Sequence, residues 1–291
     1  MRRILLSGAT GFVGSSILKE IIDDYQIDII TTGSSIERIK ENLNKINLIN
    51  YDDFFQQEKK YDVFIHCATN YLKSKKDVLD EMVCDNVLKP IKVIRHAQKF
   101  GLNKIINTGT CFEYSYSSVP ISETSKRSAF NDYALSKIMF QSAIEAMNIN
   151  VITLKLMTPY GPNDNEKLIQ LLIRSLKNKK LLELSEGNQR ISLVYISDVV
   201  GAYLQALEYI LLNDNVKQEY LVTSNESISI REIVYLLEDI SDKKSNVTFG
   251  EPNYNEISNM LGSNKKIKND LGWKQKVSLR EGLMNTIESF K

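Results

Sequence analysis

Arg3-Ile4-Leu5-Leu6-Ser7-Gly8-Ala9-Thr10-Gly11-Phe12-Val13-Gly14 carries the strongest fold signal in the chain. An apolar run of strand length meets three glycines spaced G-x-x-G-x-x-G, and Ser15-Ser16-Ile17-Leu18-Lys19-Glu20-Ile21-Ile22 then carries helical periodicity. Glycine permits a tight turn and close backbone approach, so a pyrophosphate can rest on the N–H groups at the helix start. That reading makes Gly8, Thr10, Gly11, Phe12, Val13 and Gly14 a dinucleotide cradle. A purely structural strand–helix turn is the alternative.

Working outward, strands are expected at 3–7, 27–32, 46–49, 63–68, 104–109 and 151–156, with helices near 13–24, 35–44, 77–100 and 133–147. Pro90 should kink or interrupt the third of these helices. Short apolar runs separated by helices imply parallel strands buried on both faces. The fold expected is α/β: a Rossmann-type doubly wound parallel sheet with a smaller C-terminal substrate lobe. Residues 1–160 form the dinucleotide-binding domain, to which some later elements return, and 161–291 are mainly the substrate lobe. In that lobe a helix near 166–178 places Leu168, Leu171, Leu172 and Leu176 on one face, and a strand is expected near 192–196.

Composition narrows the function classes. With 43% apolar residues, 25% charged residues and a net charge of +1, the chain gives no electrostatic case for nucleic acid or an anionic membrane. Gly8 interrupts the first apolar run too early for a signal peptide or a membrane span. Cys67, Cys84 and Cys111 are scattered, which suits reduced cytosolic thiols, and a cytoplasmic location is expected. His66 and His96 are too few for a metal cluster, and His66 reads as structural within its strand.

Tyr133-Ala134-Leu135-Ser136-Lys137 carries the chemistry. A phenol holds its proton to about pH 10, and an ammonium at i+4 lies on the same helix face and stabilises the phenolate. Lowering that pKa by about three units is worth roughly 4 kcal/mol, which brings a tyrosine into range as an acid or base near neutrality. Tyr71 and Lys75 share the spacing but lie in a lysine-rich stretch, and Tyr71 reads as a solvated loop residue. Tyr133 instead follows Thr110, at a strand end, by 23 residues and opens an apolar-periodic helix.

Cofactor choice follows from charge. An NAD site carries an acid about 20 residues beyond the glycines, at the end of strand two. Here Ile30-Thr31-Thr32-Gly33-Ser34-Ser35-Ile36-Glu37-Arg38 offers none at the strand end, and Glu37 is placed in the following helix. Ser34, Ser35 and Arg38 suit a 2′-phosphate instead, since an arginine binds phosphate strongly. NADPH/NADP is therefore expected, with NAD as the alternative.

Together with His66-Cys67-Ala68-Thr69, Tyr160-Gly161-Pro162, Tyr195-Ile196-Ser197-Asp198 and Leu271-Gly272-Trp273, these motifs make the chain resemble the extended short-chain dehydrogenase/reductase family, nucleotide-sugar branch. The resemblance covers nearly the whole chain. It implies that Tyr133 exchanges a proton with a sugar oxygen, Thr110 bonds the same oxygen, and Lys137 holds the nicotinamide ribose. It implies further cofactor contacts at Cys67, Ala68, Thr69, Thr108 and Met157, and substrate contacts at Thr110, Thr158 and Arg190. Thr108 reads as a strand-end residue near the cofactor, with a share in the role of Thr110 as the alternative. A homodimer and a nucleotide-sugar substrate follow by the same resemblance.

The family's 4,6-dehydratases carry an acid pair directly after the threonine, where this chain has Cys111 and Phe112, so dehydration is not expected. Glu113 reads as a structural or substrate-lobe contact. Gly109-Thr110-Cys111-Phe112-Glu113-Tyr114 is similar to the run in reductases that make deoxyhexoses for bacterial surface polysaccharide, CDP-abequose synthase among them. The expected activity is reduction of an NDP-4-keto-6-deoxyhexose, CDP- or dTDP-linked. A nucleotide-sugar 4-epimerase and a non-catalytic cofactor-sensing protein are the alternatives. Arg190 stands one residue earlier than the family's diphosphate-binding arginine, and one residue on a strand reverses the face. Lys155 and Lys167 are possible substitutes, or else solvated surface lysines.

Overall fold

Ile4, Leu5 and Leu6 are wholly buried, as the continuous apolar run requires of a strand covered on both faces. They belong to β1 (Arg3–Ser7), which leads through the glycine turn into α1 (Phe12–Ile21). The computed structural model describes residues 1–33, 36–71, 78–115, 119–164, 167–251 and 259–290. Next come β2 (Gln26–Thr31), β3 (Ile46–Asn50), α2 (Tyr51–Phe54), β4 (Val63–His66), α3 (Leu79–Val83), α4 (Lys89–Gln98) and β5 (Lys104–Thr110). α5 (Asp132–Ala146) and β6 (Asn150–Leu156) continue the alternation. Beyond them lie β7 (Thr158–Tyr160), α6 (Leu168–Asn178), β8 (Leu182–Leu184), β9 (Arg190–Ile191), β10 (Leu193–Tyr195), α7 (Ile196–Leu212) and β11 (Lys217–Val222). β12 (Ile228–Ser229), α8 (Ile230–Ser241), β13 (Val247–Phe249), β14 (Asn259–Met260), α9 (Lys265–Leu271) and α10 (Leu279–Ser289) follow.

Seven strands form one sheet in the order β11-β6-β5-β4-β1-β2-β3. The pairs β1/β2, β1/β4, β2/β3 and β4/β5 are parallel. Strand order reverses at β1, so the carboxyl ends of β1 and β4 flank the switch point, where doubly wound sheets bind ligands.

The chain divides into two units. The first comprises Met1–Ser115, Ser125–Lys155 and Val200–Tyr220. Its core joins Leu5, Phe64 and Ile105 from the strands to Val93, Ile94, Phe140 and Ile144 from α4 and α5. The second comprises Tyr116–Thr124, Leu156–Val199 and Leu221–Lys291. Its core sets Ile169, Leu172 and Ile173 of α6 with Ile230, Ile233, Val234 and Leu237 of α8. Each such buried aliphatic side chain contributes about 1.5–3 kcal/mol over its exposed state.

Four local expectations need correction. The segment expected as a helix over 35–44 is a 3-10 helix over Glu37–Lys45, in which Ile39 is the buried residue. Without an apolar stripe to pack, it gains none of the tertiary support that stabilises most α-helices. The helix expected over 77–100 is broken by a π turn, Cys84–Leu88, just before Pro90. Proline cannot donate to the carbonyl four residues back, and the wider turn absorbs the misfit. α6 buries Ile169, Leu172, Ile173 and Leu176 at i, i+3, i+4 and i+7, while Leu168 and Leu171 are half-buried. The strand expected over 192–196 is shorter, β10 over Leu193–Tyr195 pairing with β7, because Ile196 already opens α7; Ser192 separates it from β9, which pairs with β12 and β14.

Candidate active site

The glycine turn closes on itself. Gly8 has φ +74°, and a Cβ there would lie 2.4 Å from Ala68 N, so the β1 turn and the segment after β4 touch backbone to backbone. A Cβ on Gly14 would lie 2.2 Å from Gly8 O. Gly11 N donates to Gly8 O at 3.0 Å, and Ser15 N to Gly11 O at 2.9 Å. α1 starts with no side-chain cap and no acid in its first turn. The positive end of the helix is thus turned to an anion with no competing carboxylate. These residues fit a dinucleotide. Arg38 joins them from the 3-10 helix, its Nη1 donating to Thr10 O at 3.3 Å. β2 ends at Thr31, and its acid, Asp28, is buried and bonded to Tyr61 and Lys59. Ser34 and Ser35 lie outside the described residues.

Thr110, Tyr133 and Lys137 come together in the same unit. The Asn131 side chain accepts from Ala134 N at 2.8 Å and caps α5, which places Tyr133 in its first turn. The side chains of Thr69 and Thr110 act on the Tyr133 hydroxyl and favour its ionised form. Lys137 is buried, and its Nζ donates to Thr108 O at 3.0 Å. The Thr108 hydroxyl pairs with Tyr203 Oη at 2.6 Å and lies 3.4 Å from Cys67 Sγ. Tyr71 is not merely solvated: it is 42% exposed, and its ring stands edge-on to Tyr133 at 4.7 Å.

The electrostatics correct the expected phenolate. Burial pushes the Tyr133 pKa up, and the carboxylate of Glu113 adds to it, while Thr69 and Thr110 pull the other way. The protein by itself keeps Tyr133 a phenol. Lys137 is lowered to about 8, chiefly by burial and against the pull of Glu113. Burial, with the Lys137 charge nearby, lowers His66 to about 3, so it is neutral, its Nδ1 2.7 Å from Ser7 Oγ.

Thr110 also caps a single 3-10 turn, Cys111–Glu113. Its backbone N–H donates to Glu113 Oε1 at 2.8 Å, and its hydroxyl accepts from Phe112 N at 3.3 Å. Glu113 is wholly buried and paired with Lys155. Lys155 is therefore neither a solvated surface lysine nor a group open to a diphosphate. Cys111 is buried, its thiol raised to about 12 by that burial.

In the second unit, Met157 is buried, with its N–H on Val222 O at 3.2 Å. Thr158 opens β7 opposite Leu193. Arg190 binds Ser227 through Nε to Oγ at 3.2 Å and Nη2 to O at 2.6 Å, and meets Glu232 at 3.0 Å. A cavity of about 240 Å³ opens beside it, lined also by Ser224, Glu226, Gln275 and Leu279. Lys167 pairs with Asp164 at 3.6 Å.

Residues 4–218 match the model of the NAD dependent epimerase/dehydratase family. The chain belongs to that family. It is 23% identical over 314 residues to dTDP-4-dehydro-6-deoxyglucose reductase of Escherichia coli, covering 99% of this chain and 97% of the relative. It is 27% identical over 268 residues to CDP-abequose synthase of Yersinia pseudotuberculosis, covering 87% and 88%. Its fold matches UDP-glucuronic acid 4-epimerase of Bacillus cereus, solved with UDP-glucuronic acid and NAD, at TM-score 0.89 and 22% identity, covering 99% and 98%. This likeness and the sheet order agree on the Rossmann-type architecture.

Three residues of this epimerase/dehydratase-family site escaped sequence reasoning. Tyr203 lies far along the chain in α7, with only apolar neighbours to mark it. Asn86 is buried in the π turn, where its Oδ1 accepts from Asn70 N at 2.6 Å and its Nδ2 donates to Ser136 Oγ at 3.0 Å. It ties the segment after β4 to α5. Lys155 read as a surface charge within a strand, and an apolar strand carrying one lysine was the available signal.

Proposed function

We propose that this chain reduces the C4 ketone of a nucleotide-linked 4-keto-6-deoxyhexose, CDP- or dTDP-linked, using NADPH. The observation that carries the reading is Arg38 at the glycine turn, 3.3 Å from Thr10 O, where β2 ends without an acid. A guanidinium there suits a 2′-phosphate, and NADPH is a reductant that binds and leaves. The likeness to the E. coli reductase and the Yersinia synthase supports the same direction.

Bound NADPH supplies the hydride to the ketone carbon. The chain supplies the proton: Tyr133, held as a phenol, gives it to the ketone oxygen, and ketone plus hydride plus proton is the alcohol. The Thr110 hydroxyl orients that oxygen. Lys137, fixed on Thr108 O, holds the nicotinamide ribose and sits one helical turn from the phenolate left behind. Glu113 is engaged by Lys155, so no acid beside Thr110 is open to remove water.

The assay follows NADPH absorbance with CDP- and dTDP-4-keto-6-deoxyhexoses and product stereochemistry by NMR. Stoichiometric NADPH oxidation to a single C4 epimer is expected. Interconversion of C4 epimers without added reduced cofactor, with NAD surviving purification, would replace this reading by an epimerase.

A further inference from the structure

We propose that Glu113, locked by Lys155, is a positioning residue: its carboxylate fixes Thr110 against Tyr133 and places a negative charge behind the proton-exchanging pair. The inference rests on the reading that Tyr133 exchanges the proton. Glu113 and Lys155 are both wholly buried: Glu113 Oε1 takes the Thr110 N–H at 2.8 Å and pairs with Lys155, and the Thr110 side chain acts on the Tyr133 hydroxyl. Lys155 also lies 3.4 Å from Glu219, which holds Arg127 at 2.8 Å and the Tyr114 hydroxyl. The lysine stem runs under β5 where a side chain is excluded, since a Cβ on Gly109 would lie 2.3 Å from Lys155 Cδ.

An ion pair of this kind is a poor way to stabilise a fold. Desolvation of two charges roughly cancels their attraction, and apolar replacements of similar volume are often as stable or more so. An apolar pair, however, would give Thr110 no acceptor and Tyr133 no neighbouring charge.

The titratable groups facing Tyr133 and Lys137 single out the pair. His66 and Cys67 approach from β4 and its end, Cys111 and Glu113 from the 3-10 turn, Lys155 from β6, Tyr203 from α7, and Tyr71 stands edge-on. Burial holds Cys67 at about 11 and Cys111 at about 12, raises Tyr203, and lowers His66 to about 3, so all four are neutral at working pH. Among the described residues, Glu113 is the charge acting on both, and Lys155 acts on Lys137. A carboxylate disfavours phenolate and favours ammonium, so losing it lowers the pKa of both Tyr133 and Lys137.

Glu113→Gln keeps the acceptor for the Thr110 N–H and removes the charge. In the NADPH-loaded enzyme, the alkaline limb of kcat for ketone reduction should move down by about one pH unit, the low end of what a nearby charge produces. Tyrosine labelled with 13C at Cζ reads the same shift without substrate in the NADP complex, with the Tyr133 signal assigned by its loss in Tyr133→Phe. If Glu113→Gln does not fold, the neutral pair Glu113→Gln with Lys155→Met leaves no unpaired charge at position 155 and should still lower the Tyr133 titration, while Lys137, relieved of the Lys155 charge as well, moves less. A lower melting temperature with both titrations unmoved would make the pair merely structural and overturn the proposal. A wild-type enzyme that reduces no keto-sugar would sink the proposed reaction, while the 13C titration would still decide the role of Glu113.

Discussion

Tyr133 is a phenol because its surroundings are enclosed and a carboxylate stands behind Thr110, and this protonated form is the one a reductase needs. Replacing it by phenylalanine keeps the ring, and with it the edge-on contact of Tyr71. Tyr133→Phe should lose 10²–10⁴-fold in turnover, the usual range for general acid catalysis, with NADPH affinity nearly unchanged. Turnover above about a tenth of wild type, measured at saturating substrate, would remove Tyr133 from the role. Arg38→Ala should weaken NADPH by roughly 10- to 150-fold, the equivalent of the about 1.5–3 kcal/mol of a charge-assisted contact. NADH should be almost untouched, and equal losses in a fluorescence titration of both cofactors would show that Arg38 serves neither selectively. His66 gives a pH dependence. Its folded pKa of about 3 lies below the unfolded value of about 6.5, so the unfolded chain takes up the proton first. The stability it permits is complete above about pH 6.5 and is lost as pH falls toward 3, by up to roughly 1.4 kcal/mol per unit. Urea midpoints at pH 7 and pH 5 should therefore converge in His66→Gln relative to wild type.

At the scale of elements, the glycine turn is the tightest constraint. Gly14→Ala places a methyl 2.2 Å from Gly8 O, and backbone rather than a flexible side chain must move. The variant should lose about 1–3 kcal/mol, as overpacking does, and bind NADPH more than tenfold less tightly. Gly250→Ala, whose Cβ would meet Leu184 O at 3.6 Å and nothing nearer among the described residues, should melt close to wild type and serves as the comparison. Two elements moved away from their expected form for opposite reasons. Glu37–Lys45 lacks an apolar face and tightens to a 3-10 helix, yet that segment carries Arg38 to Thr10. Cys84–Leu88 widens into a π turn before Pro90, and the widened turn carries Asn86 to Asn70 and Ser136. A periodicity argument finds neither, because it scores buried faces and these segments are shaped by a missing face and a missing donor.

Over the whole molecule, a cofactor that binds only the folded state stabilises it by about 2.7 kcal/mol at a hundred times its Kd. NADPH should raise the melting temperature more than NADH at equal concentration, and the difference should vanish in Arg38→Ala. The reverse order in differential scanning fluorimetry would return the chain to NAD. Among the described residues no helix is long and apolar enough to cross a membrane. The local pattern was enough to find β1, the glycine turn, the alternation through β6 and the place of Tyr133 and Lys137 one turn apart on α5, because each depends on residues within one or two turns of chain. It also placed Thr110 at the end of β5. Only the tertiary structure decided the protonation of Tyr133, the burial of Lys155 against Glu113, the place of Tyr71 beside Tyr133 and the reach of Tyr203 to Thr108. Those depend on which distant groups share a low-dielectric space, and neither spacing nor composition carries that information, since a charge reads the same in sequence whether water or protein surrounds it.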